Sequence, residues 1–201
     1  MTETTERLAP RPPGRPRSER AEKAIIEATL DLLIEEAGVA GVTIEAVAAR
    51  AGVGKTTIYR RWANKEALIV DALATLKEPV PPLAGVTARD DLIALTQAIR
   101  PPGDRRFDCV WNILGGAAKH PELVRKFQQD VLEPRREVFR GVLRRGVASG
   151  EFRGDLDIEV AEAVILGAMT LRARSLDRDR AMPEDFAPRL IDTVLRGFSA
   201  R

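Results

Sequence analysis

Residues 52–60 read GVGKTTIYR, and Gly54-Lys55-Thr56 is the closing piece of a phosphate-cradling loop, in which backbone amides and a lysine hold nucleotide phosphates. Such a loop requires a glycine five positions before Gly54 and a buried strand in front of it. That position is Ala49, and TIEAVAARAG carries its apolar residues at helical spacing. Nucleotide chemistry is therefore not expected. The same segment suits another use, because Lys55, Thr56, Thr57, Tyr59 and Arg60 can pair with phosphates, guanine edges or thymine methyls. Elsewhere the sequence shows no paired carboxylates on an apolar background, no serine/histidine arrangement and no metal-ligand spacing. No enzyme, metal or cofactor is expected. The single His120, in KHPEL at a helix start, is read as exposed.

Thr43 is an N-cap candidate, followed by Ile44, Val47 and Ala48 at helical spacing until Gly52. An Ala51-Gly52-Val53 turn leads to a short polar helix from about residue 55 to 61, which is the layout of a helix-turn-helix. Ala48 and Gly52 are small where the two helices approach, and Val53 and Ile58 plug the space between them. A preceding helix runs from an N-cap at Ser18 through the Ile26, Leu30, Leu33, Ala37 row to Gly38. Asn64 caps a fourth helix at Lys65-Glu66-Ala67-Leu68, which places Trp62 in the core.

In TIEAVAARAGVGKTTIYRRWANKEAL, the order of Thr43, the small turn, Thr57, Tyr59, Trp62 and the Lys65-Glu66-Ala67-Leu68 run resembles the DNA-binding segment of the tetracycline-repressor-like (TetR) family. Gly54 stands where serine is more common, and Trp62 where phenylalanine is usual. The resemblance implies phosphate contacts from Thr43, Tyr59 and Lys65 and base or groove contacts from Lys55, Thr56 and Thr57, with Arg50 and Arg60 as additions. It also implies that Arg15 and Arg17, in a basic, proline-rich stretch over residues 1–17, belong to a flexible arm that enters a minor groove. Composition alone leaves that stretch equally readable as a solvated tail.

The expected architecture is all-α, with a DNA-binding domain over 18–66, and the resemblance implies that the longer amphipathic helices over 67–201 form an effector-binding and dimerisation domain. Pro79, Pro81, Pro82 and Gly85 break the chain after the fourth helix. Thr87 with Asp90 resembles a capping box, and Pro134 must kink or restart a helix that Pro121 opens, because it lacks an N–H and clashes with the carbonyl of Asp130. The last two helices start at Asp157 and Pro183 and are apolar around more than one face. A lone subunit would leave one stripe wet, and the family resemblance implies that the pair packs against its copy as a four-helix bundle through Val164, Ala168, Leu171, Ile191 and Leu195, with ordinary core as the other reading. Phe107, Trp111, Phe127, Phe139 and Met169 are candidates to line an effector pocket, although an aromatic stripe at this spacing also suits a core.

The 201 residues carry 31% charged side chains but a net charge of only +2, so affinity for nucleic acid depends on where the charges sit. One cysteine, Cys109, makes no internal disulfide, and neither a membrane-length apolar run nor a signal segment is seen. The expectation is a cytoplasmic homodimer, binding a palindromic double-stranded operator and a small-molecule effector, with no membrane partner. The rival reading is a helical interaction module whose basic arm binds an acidic protein.

Overall fold

The computed structural model describes residues 15–36, 38–99, 119–175 and 182–197, with backbone only at 15–18 and 173–175. Among the described residues the chain forms α1 (Arg15–Glu35), α2 (Ile44–Ala51), α3 (Lys55–Tyr59), α4 (Lys65–Ala74) and α5 (Ala88–Gln97). After 118 come α6 (Pro121–Phe127), a π-helical turn (Gln128–Leu132), α7 (Glu133–Ala148), α8 (Ile158–Ser175) and α9 (Phe186–Arg196). No strand occurs among these residues, and no helix is long and apolar enough to cross a membrane.

Local chemistry sets most of the helix starts. The hydroxyl of Thr43 accepts from the Ala46 amide at 3.1 Å, Asn64 from Ala67 at 2.8 Å, Thr87 from Asp90 at 3.0 Å and Asp157 from Val160 at 3.0 Å. Pro134 acts as its chemistry demands. Having no N–H and a ring that crowds the preceding turn, it is accommodated by widening that turn, so that the Glu133 amide donates to the Gln128 carbonyl five residues back.

Two boundaries differ from the sequence expectation. α1 starts at Arg15, three residues before the cap expected at Ser18, so Arg15 and Arg17 lie in its first turn. Pro16 permits this, since first-turn amides have no intrahelical acceptor and proline's fixed φ suits a helix start. The last helix starts at Phe186, with Pro183 in the approach to it. The expected stripe of Phe107, Trp111 and their neighbours lies outside the described residues, as do residues 1–14 and Ala37.

Two cores result. The first packs α1 to α4 together through Ile25, Leu33, Val47, Ile58 and Leu68, and extends to Leu123 and Phe127 of α6. The boundary expected after residue 66 thus falls inside α4, whose apolar side chains belong to this first core. The second joins α5, α7, α8 and α9 through Leu92, Phe139, Leu143, Ile165 and Ile191.

Charged side chains order the second core. Glu162 of α8, only 2% exposed, accepts from Arg136 and Arg140 of α7. Asp91 of α5, equally buried, accepts from Arg145 of α7 and from the Gly85 amide at 3.1 Å. Each buried carboxylate therefore has charged and hydrogen-bonding partners, the condition under which burial of a charge is tolerated.

Candidate nucleic-acid interface and cavity

The turn between α2 and α3 depends on Gly52, whose φ of 65° and ψ of 33° lie in the left-handed region. There it closes α2, with the Val53 amide donating to the Ala48 carbonyl at 3.0 Å. The chain reverses within three residues, and Ile58 and Trp62 anchor α3 from its inner side, being 0% and 5% exposed. Trp62 also donates from Nε1 to Asp71 of α4 at 2.7 Å, a bond that sequence spacing did not announce. With Ala49 in α2 and helix in front of the turn, Gly54-Lys55-Thr56 lies in no phosphate loop.

What remains outward is polar. Lys55, Thr56 and Arg60 are exposed, Thr57 is half-buried, and Tyr59 is 54% exposed although it is the chain's only tyrosine. Thr43 and Arg50 are exposed at the two ends of α2, and Lys65 is half-buried at the start of α4, donating to the Val39 carbonyl at 3.4 Å. Gly54 precedes α3 in extended conformation and supplies no side-chain cap. Of Arg15 and Arg17, only the helical backbone is described.

Two of these cations already have acidic neighbours that the sequence reading missed. Lys55 Nζ sits 2.9 Å from Glu45, and Arg50 2.7 Å from Glu35. The hydrogen bond from Lys55 holds the Glu45 carboxyl below its usual range and lifts the ammonium above its own. Arg50 and Glu35 shift one another in the same senses. Both pairs are exposed, so exchanging carboxylate for phosphate costs little.

A cavity of about 510 Å³ lies beside the second core. Its apolar wall includes Val80, Leu95, Ile99, Leu132, Phe139 and Leu166; Lys77, Glu78, Arg135 and Arg136 supply its charge. Of the pocket candidates, Phe139 lines this space. Phe127 packs in the first core, and Met169 is 1% exposed and is not among the lining residues, because α8 turns it inward. Phe107 and Trp111 lie outside the described residues. Lys77 and Arg135 escaped sequence reading because a lone cation after a helix and another inside one carry no periodic signal.

α8 presents three faces. Ile165 and Met169 point into the core, Ala163, Leu166, Gly167 and Thr170 toward the cavity, and Val160, Val164 and Leu171 to the outside, where they are 57%, 44% and 68% exposed. Ala168 and, on α9, Leu195 are half-buried, whereas Ile191 is fully buried in the second core.

Residues 25–72 match the model of bacterial regulatory proteins of the tetR family, and residues 84–194 match the tetracyclin repressor-like C-terminal domain. The chain belongs to the TetR family. It is a helix-turn-helix transcriptional regulator. Among its relatives is the uncharacterized HTH-type transcriptional regulator YdeS of Bacillus subtilis, 36% identical over 79% of this chain and 81% of that one. The DNA-binding transcriptional repressor TetR of Mycobacteroides abscessus is 32% identical over 89% of this chain and 94% of its own length. The crystal structure of the TetR family regulator SCO0332 superposes with a TM-score of 0.64 at 27% identity, covering 90% of this chain and all of that one. The fold is also shared with FadR of Bacillus subtilis, solved with stearoyl-CoA, at a TM-score of 0.59 and 18% identity, over 88% of this chain and 99% of FadR.

Proposed function

We propose that this TetR-family regulator is a cytoplasmic homodimeric repressor that binds a palindromic operator and leaves it when a small molecule fills the cavity. The observation that carries the reading is the continuity between cavity and DNA-binding core. α4 packs its Leu68, Ile69 and Leu73 in the first core, and the residues just beyond it, Lys77 and Glu78, line the cavity. The segment from α6 to α7 makes a second connection. Val131 belongs to the first core, and its neighbour Leu132 faces the cavity within the π-helical turn. A ligand that moves this wall thus acts on two elements packed against the helix-turn-helix.

In this reading Lys55, Thr56 and Thr57 face base edges, while Thr43, Arg50, Tyr59, Arg60 and Lys65 hold the phosphates. Residues before α1, together with Arg15 and Arg17 in its first turn, approach the neighbouring groove. The exposed apolar stripe of Val160, Val164 and Leu171 meets its copy in a second subunit. Dimerisation then sets the two α3 helices about 34–36 Å apart, one turn of B-DNA, and a ligand releases DNA to the extent that it prefers the arrangement with another spacing. The test is selection of bound sequences from random duplex DNA. Enrichment of a two-fold palindrome is expected; enrichment of a single asymmetric site, or of none, contradicts the reading.

A further inference from the structure

We infer that the cavity's effector is an amphipathic anion, a molecule with an apolar body and one carboxylate or phosphate group, held by Lys77 and Arg135. The inference deepens the effector reading above and rests on it for its biological meaning. A cavity of about 510 Å³ lies within the size range of small-molecule sites, and an apolar wall with a few convergent polar groups is their common construction. The charged groups decide which small molecule. Lys77 and Glu78 come from the segment after α4, Arg135 and Arg136 from α7, and the lining residues of α5 and α8 carry no charge.

The four groups differ in how their charge is used. Arg136 is bound to the buried carboxylate of Glu162 and reaches Glu133 at 4.0 Å, so its charge is committed to the protein. Arg135, half-buried, has no acidic partner among the described residues. Glu78 is exposed and adjoins Lys77 in sequence. Burial first, and the Arg135 guanidinium in the same cavity wall second, push the Lys77 ammonium down to about 8. Two cations in one partly desolvated wall repel one another, and an anion between them removes that repulsion and gives Arg135 an acceptor. A neutral ligand relieves neither. A cationic one makes both worse.

The groups also sit where binding has an effect. An anion drawing Lys77 toward Arg135 connects the chain just beyond α4 with α7, so charge neutralisation itself couples to the helix that supports the helix-turn-helix.

Calorimetric titration of the full-length protein with matched probes tests the inference: decanoate and 2-naphthoate, their alcohols decanol and 2-naphthalenemethanol, and decylammonium. At pH 7 at least one acid is expected to bind at least tenfold more tightly than its alcohol, and decylammonium to bind more weakly than either. Lys77→Met and Arg135→Met, with circular dichroism matching wild type, should reduce the acid-over-alcohol ratio to within about threefold of unity, while Arg135→Lys keeps it. Alcohols binding as well as their acids, no saturable binding of either acid, or a ratio unchanged in both methionine variants each overturns the anion site. The effector reading fails separately: if an acid binds with this preference yet leaves the complex with the selected operator intact, the site stands and the release mechanism falls.

Discussion

At the scale of single residues, the proposed DNA complex sets phosphates in competition with acids of the protein. Lys55 and Arg50 are each held by an exposed carboxylate, a contact that orients them and lowers the local positive potential. Glu45→Gln releases Lys55, and the variant is expected to bind non-specific duplex more tightly, by no more than severalfold, because a solvent-exposed ion pair is weak. Fluorescence anisotropy on a random duplex checks this; unchanged or weaker binding means that Glu45 does not compete with DNA. Lys55, Thr57 and Tyr59 were legible in the sequence because their spacing beside Ile58 and Trp62 divides a short helix into inner and outer sides. Glu45 and Glu35 were not, since each meets its cation across a turn or between helices, where no sequence period operates.

At the scale of elements, the helices reproduce the caps and breaks written in the sequence, from Thr43, Asn64, Thr87 and Asp157 to the widened turn before Pro134. The start of α1 departs from this because proline, a breaker inside a helix, is compatible with its first turn. One glycine acts by close approach. A Cβ at Gly146 of α7 would lie 2.3 Å from the Phe152 ring and 2.9 Å from Ala88 of α5. Gly146→Ala is therefore expected to destabilise the protein by about 1–3 kcal/mol, as overpacked core sites do. Urea denaturation measures it, and a variant as stable as wild type means that Phe152 moves aside without loss. The helix propensity gained by alanine, about 1 kcal/mol, works against the clash and sets the lower end of that range.

At the scale of the whole molecule, the proposed coupling runs through the two cores, the cavity and the outer stripe of α8. None of its long-range parts has a linear signature: the apolar faces announced helices and a surplus stripe, while the placing of Lys77 and Arg135 in one cavity wall required the tertiary fold. Lys77 gives this arrangement a pH dependence. Its folded-state pKa of about 8 lies below the usual 10.5, so burial of the ammonium destabilises the fold at neutral pH. Between those values the unfolded chain binds the extra proton, and stability rises with pH by up to about 3 kcal/mol from this group. Lys77→Met should accordingly be more stable than wild type at pH 7, with the advantage shrinking as pH rises through 8 toward 10. Denaturation curves at pH 7 and pH 9.5 check it, and an advantage that stays constant contradicts the assignment of a buried, depressed ammonium.

The central claim, that α3 reads base sequence, is tested most directly by the ratio of affinities for the selected operator and for a shuffled duplex of equal length, measured by anisotropy at one salt concentration. Lys55→Ala and Thr57→Val should each reduce that ratio, by about 1–3 kcal/mol where a bidentate base contact is lost. Tyr59→Phe, which in the proposed complex removes a phosphate contact, should weaken both duplexes together by about 1 kcal/mol and leave the ratio as it was. Wild-type ratios in both Lys55→Ala and Thr57→Val would contradict the account.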